Sequence, residues 1–112
     1  MKYIFIADDS DVIRRIVEET LRLHKYENIL TAIDGQDALE KIKTNIGKIA
    51  LYVFDVNMPR MDGVELCRAA RALKRSRYLP LILLTARGEK QDLIEGLNAG
   101  ADAFISKPLN FA

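Results

Sequence analysis

Ile49-Ala50-Leu51-Tyr52-Val53-Phe54, followed at once by Asp55, is an unbroken apolar run that ends on a carboxylate. A strand with one wet face would alternate apolar and polar residues. A continuous run suits a strand buried on both faces, as in a parallel sheet with helices on each side. Working outward, four more such runs appear: Tyr3 to Ala7, Ile29 to Ile33, Leu79 to Leu84 and Ala103 to Ile105.

The segments between them have helical spacing. Val12, Ile13, Ile16, Val17, Thr20 and Leu21 follow Ser10, a candidate N-cap, with Arg14/Glu18 and Arg15/Glu19 set on the outer face. Asp34 opens a second helix carrying Ala38, Leu39 and Ile42, which Gly47 is placed to end. Asp62-Gly63-Val64-Glu65 has capping-box spacing and starts a third, with Leu66, Ala70 and Leu73 inward. A fourth carries Leu93, Ile94 and Leu97 and is closed by Gly100. Strand and helix alternate throughout, which predicts an α/β fold with a five-stranded parallel sheet, right-handed crossovers and helices on both faces; among the possible orders we choose the doubly wound 2-1-3-4-5, flavodoxin-like. In such sheets the binding crevice lies beyond the carboxyl ends of the strands, here between the first and third.

The chain's 112 residues, 49% hydrophobic and 29% charged, suit one domain with its own core, spanning 1–112. A net charge of +1 supplies no global field toward nucleic acid or an anionic membrane, so neither is expected as a direct partner. The basic run Arg68, Arg71, Lys74, Arg75 and Arg77 reads as a solvated face. Cys67 is the only cysteine and His24 the only histidine; both read as structural, and a lone thiol suits a reducing cytosol. Met1-Lys2 leads into a short apolar run stopped by two aspartates, unlike a signal peptide, and no stretch is long enough to span a bilayer. The expected location is cytoplasmic.

The residues that end the strands converge on the crevice: Asp8 and Asp9 from the first, Asp55 from the third, Thr85 from the fourth, and Ser106-Lys107 from the fifth. Gathered carboxylates repel unless a cation neutralises them. Oxygen ligands with room for water suit Mg²⁺, with Mn²⁺ as a substitute. A carboxylate beside Mg²⁺, a lysine and a threonine has the parts phosphoryl transfer needs: a nucleophile, charge neutralisation and positioned donors.

Four ordered motifs carry a family resemblance: Ala7-Asp8-Asp9-Ser10; Asp55-Val56-Asn57-Met58-Pro59 with Met61-Asp62-Gly63; Leu84-Thr85-Ala86; and Lys107-Pro108. The chain resembles the receiver domain of two-component response regulators over essentially its whole length. That resemblance implies that Asp55 takes a phosphoryl group from a histidine kinase or histidine phosphotransfer protein. It implies that Asp8, Asp9, Asp55 and the backbone carbonyl of Asn57 hold Mg²⁺, and that Thr85 and Lys107 contact the phosphoryl oxygens. Thr85 and Phe104 would form the switch, although Phe104 lacks the hydroxyl of the tyrosine often found there. The output surface would be the fourth helix and fifth strand. The Lys107-Pro108 bond would be cis. Asn57 and Arg87, two residues beyond Asp55 and Thr85, are placed to tune the lifetime of the phosphorylated form. Such a domain is not an enzyme but assists its own phosphorylation and dephosphorylation.

Receivers continue into a fifth helix, so the chain is expected to stop before its last helix and either to self-associate through the exposed face or to be markedly less stable than a longer form. Three rival readings are weaker. A haloacid dehalogenase-type phosphatase needs a second aspartate where Asn57 stands. A flavodoxin-like cofactor site needs phosphate-binding N–H groups after the first strand, where Asp8 and Asp9 would repel the ligand. A receiver-like scaffold that no longer takes phosphate would not keep all four motifs.

Overall fold

The computed structural model describes residues 2–85 and 90–106. In chain order the elements are β1 (Tyr3–Ala7), α1 (Asp11–Leu23), β2 (Ile29–Ala32), α2 (Gly35–Thr44), β3 (Ile49–Asp55) and α3 (Gly63–Ala72), then a short 3-10 turn at Lys74–Ser76, β4 (Leu81–Thr85), α4 (Lys90–Ala99) and β5 (Ala103–Ser106). All pairings are parallel, as the alternation of strand and helix predicts, and the strand order is the chosen β2-β1-β3-β4-β5.

The apolar runs of the inner strands are explained by a core on each face of the sheet, whereas β5, expected to be buried on both faces, is exposed at Ala103, Ile105 and Ser106. Successive side chains of a strand point to opposite faces. Phe5, Tyr52, Phe54, Leu81 and Leu83 pack on one face against Ala38 and Ile42 of α2 and Leu66 and Ala70 of α3. Their neighbours Ile6, Val53 and Leu84 pack on the other against Val17, Ile13 and Leu21 of α1. The rings of Phe5, Tyr52 and Phe54 lie 5.2 to 6.3 Å apart, between the central strands. Burying each such side chain contributes about 1.5–3 kcal/mol, so these rings alone rival the net stability of a small domain.

The helix starts follow local capping chemistry. The Ser10 side chain accepts from Ile13 N, Asp34 from Asp37 N, and Asp62 and Glu65 form a reciprocal capping box. Gly100, at φ +110°, closes α4. Gly47 does not close α2: that helix stops at Thr44 with Asn45 as its C-cap, and Gly47, at φ +82°, turns the loop into β3. The Arg75 guanidinium lies where a Gly47 side chain would stand, so this glycine serves a close approach rather than a helix end. β4 starts at Leu81, not Leu79, because Pro80 has no N–H for a ladder.

Two arginines differ from the surface roles expected of them. Arg14 does not pair with Glu18: it bonds Asp11 and donates to the Asp8 carbonyl at 2.6 Å, while Glu18 faces Arg22 at 3.7 Å. Arg71, whose side chain is only 14% exposed, donates to the carbonyls of Gly100, Ser76 and Leu79 and to the Asp102 carboxylate. It ties α3 to the loops before β4 and β5 and is a strut, not part of a solvated face. Val12 and Ile16 of α1 and Leu93, Ile94 and Leu97 of α4 remain exposed although they lie at helical spacing. Among the described residues no helix is long and apolar enough to cross a membrane. The expectations for Arg87, for Lys107 and its bond to Pro108, and for the chain's end lie outside the described residues.

Candidate metal and phosphoryl site

Sheet register brings the acidic residues together. Ala7 pairs with Phe54, so Asp8 and Asp55 leave adjacent strands side by side. One ligand oxygen from each of Asp8, Asp9 and Asp55 lies within 4.8 Å of the other two. Mg²⁺ holds oxygens at about 2.0–2.1 Å, so opposite ligands stand roughly 4.2 Å apart. The 4.8 Å bound on the cluster is close to that span, so this donor set fits the ion.

The three carboxylates differ in setting. Asp8 and Asp55 are buried and Asp9 is exposed at the rim. Asp8 is fixed three times: its Oδ1 accepts from Ser10 N at 2.9 Å, its own N–H donates to Ala32 O at 3.1 Å, and its carbonyl accepts from Arg14. The first turn of α1 is therefore fastened to the site by Ser10 and Arg14 together.

Asp55 is held by its neighbours' backbones. Leu84 is its β4 partner, and Val56 N donates to Leu84 O at 2.9 Å. Gly63 N donates to Val56 O at 2.8 Å, and a Cβ on Gly63 would stand 2.2 Å from Asp55 O. Only glycine lets α3 start this close to the strand end. Thr85 is buried one residue beyond Leu84 and pairs with Ser106, so it emerges at the same rim. Asn57 is exposed in the loop between β3 and α3. Phe104 is half-buried on β5, its ring within 2.4 Å of where a Gly96 side chain would begin.

The next loop residues carry a feature that residue types did not disclose. Arg60 has φ +69°, a left-handed conformation that costs a non-glycine residue about 1–2 kcal/mol. Its Nη1 donates to Asp34 Oδ2 at 2.6 Å. The Asp34 carboxyl is held below the usual carboxylate range, chiefly by the Asp37 N–H it accepts and further by Arg60, against the opposing effect of burial. The only sequence signal for the pair is Asp34 as N-cap, which says nothing of Arg60.

Cys67 and His24 stand apart from the site. Cys67 is buried against Ala99 O at 3.4 Å, and burial pushes its thiol up to about 11, so it is inert. His24 is an exposed C-cap of α1 whose Nδ1 donates to Thr20 O at 2.9 Å.

Comparison with known proteins gives one family. The response regulator receiver domain family matches residues 4–112. Chemotaxis protein CheY1 of Helicobacter pylori strain J99 is 38% identical over 105 residues, 94% of this chain and 84% of its own. The crystal structure of Vibrio cholerae chemotaxis protein CheY4 superposes with a TM-score of 0.89 at 34% identity, covering 99% of this chain and 90% of its own. The receiver domain of a sensor histidine kinase from Pseudomonas aeruginosa PAO1, with a magnesium ion coordinated in its active-site cleft, gives a TM-score of 0.86 at 26% identity over 98% of this chain and 88% of its own.

Proposed function

The chain belongs to the response regulator receiver family, and on that premise we propose that Asp55 is its phosphoryl acceptor, served by Mg²⁺ held on Asp8, Asp9, Asp55 and the Asn57 carbonyl. The observation that carries this reading is the packing of three carboxylates within 4.8 Å at the carboxyl end of the central strands.

In the proposed reaction an Asp55 carboxylate oxygen attacks the phosphorus of a phosphohistidine on a histidine kinase or phosphotransfer protein. The O–P bond forms, the N–P bond breaks, and the imidazole leaves. Bound Mg²⁺ would neutralise charge on the phosphoryl oxygens. The chain's own residues do the positioning: β3 and Gly63 fix the Asp55 backbone, and Ser10 and Arg14 fix Asp8; Thr85 is assigned a hydroxyl contact to a phosphoryl oxygen. Lys107 is assigned a second phosphoryl contact. Water would later attack the phosphorus, releasing inorganic phosphate and restoring the carboxylate, and Asn57 and Arg87 are assigned to setting the lifetime.

Thr85 and Phe104 together would transmit the change to an output surface on α4 and β5. Leu93, Ile94, Leu97 and Ile105 are already exposed there, which supports a partner-facing role. We place the domain in the cytoplasm, where such kinases deliver their phosphoryl groups.

The test is Asp55→Asn. Acetyl phosphate with Mg²⁺ should add the phosphoryl mass to wild type and not to the variant, read by intact-mass spectrometry, with both proteins equally folded by circular dichroism. Labelling of the variant at the wild-type rate would refute the assignment.

A further inference from the structure

We propose that the Asp34–Arg60 ion pair is a latch that holds the loop between β3 and α3 in a strained turn beside Asp55, making both residues positioning residues for the site. The inference deepens the phosphoacceptor reading, and rests on it only where Asn57 is assigned as a metal ligand.

Four observations converge. Met61 N donates to Pro59 O at 2.8 Å with Arg60 between them at φ +69°, a γ-turn that is rare for L-residues. Such a turn persists only where its surroundings over-determine it. The Asp34 carboxylate supplies that constraint from another part of the chain: Oδ2 accepts from Arg60 at 2.6 Å, while Oδ1 caps α2 by accepting from Asp37 N at 2.8 Å. The Asp34 side chain is 6% exposed and that of Arg60 62%, so the anchor is fixed and the guanidinium reaches to it from the surface.

The third observation is a backbone contact beside the ion pair. A Cβ on Gly35 would stand 2.1 Å from Met61 O, so the start of α2 lies directly against the residue after Arg60. The fourth is the loop's far end, where Gly63 N donates to Val56 O. Residues 56–63 are thus closed at their base by Val56 and Gly63 and pinned at their tip by Asp34 and Gly35. Asn57 lies inside that span. Neither Asp34 nor Arg60 belongs to the acidic cluster, so their effect on it passes through the loop's shape.

The test separates the latch from general stability. Asp34→Asn keeps an N-cap oxygen on α2 and removes only the charge. Arg60→Gln removes the guanidinium and Arg60→Lys keeps a cation. Hydrogen exchange on cation-free protein should speed about tenfold at the Met61 and Gly63 amides in each of the first two variants, with no further gain in the double variant, because residues acting as a pair are not additive. The β1 amides should keep wild-type rates, and Arg60→Lys should restore most of the protection. Calorimetric titration should show Mg²⁺ affinity falling about three- to tenfold in the same two variants, the low end of what outer partners of metal ligands cost. Wild-type exchange at both amides in either single variant, or effects that add in the double, would overturn the proposal. If wild type took up no Mg²⁺, the phosphoacceptor reading would suffer while the exchange data still decided the latch.

Discussion

Asp9→Asn should stabilise this protein without divalent cations and leave it the less stable of the two when Mg²⁺ is present. The ligand oxygen of Asp9 lies within 4.8 Å of those of Asp8 and Asp55. Two unit charges at that distance repel by about 0.9 kcal/mol at the dielectric constant of water, the proper choice for a side chain exposed at the rim. Facing two neighbours, Asp9 therefore carries roughly 1–2 kcal/mol of repulsion at low salt, less as ionic strength rises. Neutralising it should raise the melting temperature in EDTA by about 4–8 °C, since 1 kcal/mol moves Tm by about 4 °C in a domain of this size. With Mg²⁺ at a hundred times its Kd, wild type gains about 2.7 kcal/mol by mass action. The order reverses once the loss of one carboxylate weakens the variant's Kd about fortyfold, which leaves it a gain below about 0.7 kcal/mol. Thermal melts of both proteins at neutral pH, in EDTA and then in excess Mg²⁺, decide the matter. A variant that melts below wild type in EDTA, or that gains as much from Mg²⁺, would refute the reasoning.

Two further outcomes follow from the same geometry. Gly63→Ala should lose about 1–3 kcal/mol in urea unfolding, because its Cβ would meet the Asp55 carbonyl oxygen at 2.2 Å and α3 must retreat; alanine's helix preference recovers at most about 1 kcal/mol. Stability equal to wild type would mean that α3 is free to shift. Asp34 should steepen the acid limb of the stability curve: its folded pKa lies below the ordinary 3.8, so its contribution is present above that value and is lost as pH falls through the lowered one. Asp34→Asn should flatten that limb, and an unchanged acid profile would show that the shift adds nothing to stability.

Much of the architecture is legible in the chain because burial on both faces leaves a coarse mark. Tyr52, Val53 and Phe54 are apolar in succession because Tyr52 and Phe54 face one core and Val53 the other, whereas Ala50 earlier in the run is exposed. Asp8, Asp9 and Asp55 stand out because a carboxylate directly after such a run sits at the end of a strand. What was not legible depends on partners distant in sequence. Arg60 and Asp34 are joined by neither helical nor strand periodicity, and Arg71 reads as a surface charge until the carbonyls of Ser76, Leu79 and Gly100 are brought around it. Gly47 was misread for a related reason: a glycine shortly after a helix suggests a stop, but here it makes room for the Arg75 guanidinium.

The acidic cluster joins strands that are neighbours in the sheet but not in the chain, since β1 meets β3 only after α1, β2 and α2 have been laid down. No peptide shorter than the span from Asp8 to Asp55 carries all three carboxylates. A fragment that ends before β3 has Asp8 and Asp9 without Asp55, and one that starts after β1 and Asp9 has Asp55 without the pair. During synthesis the first two carboxylates emerge long before the third. The three carboxylates therefore stand together only once the central strands have docked, and a half-folded copy lacks the assembled cluster.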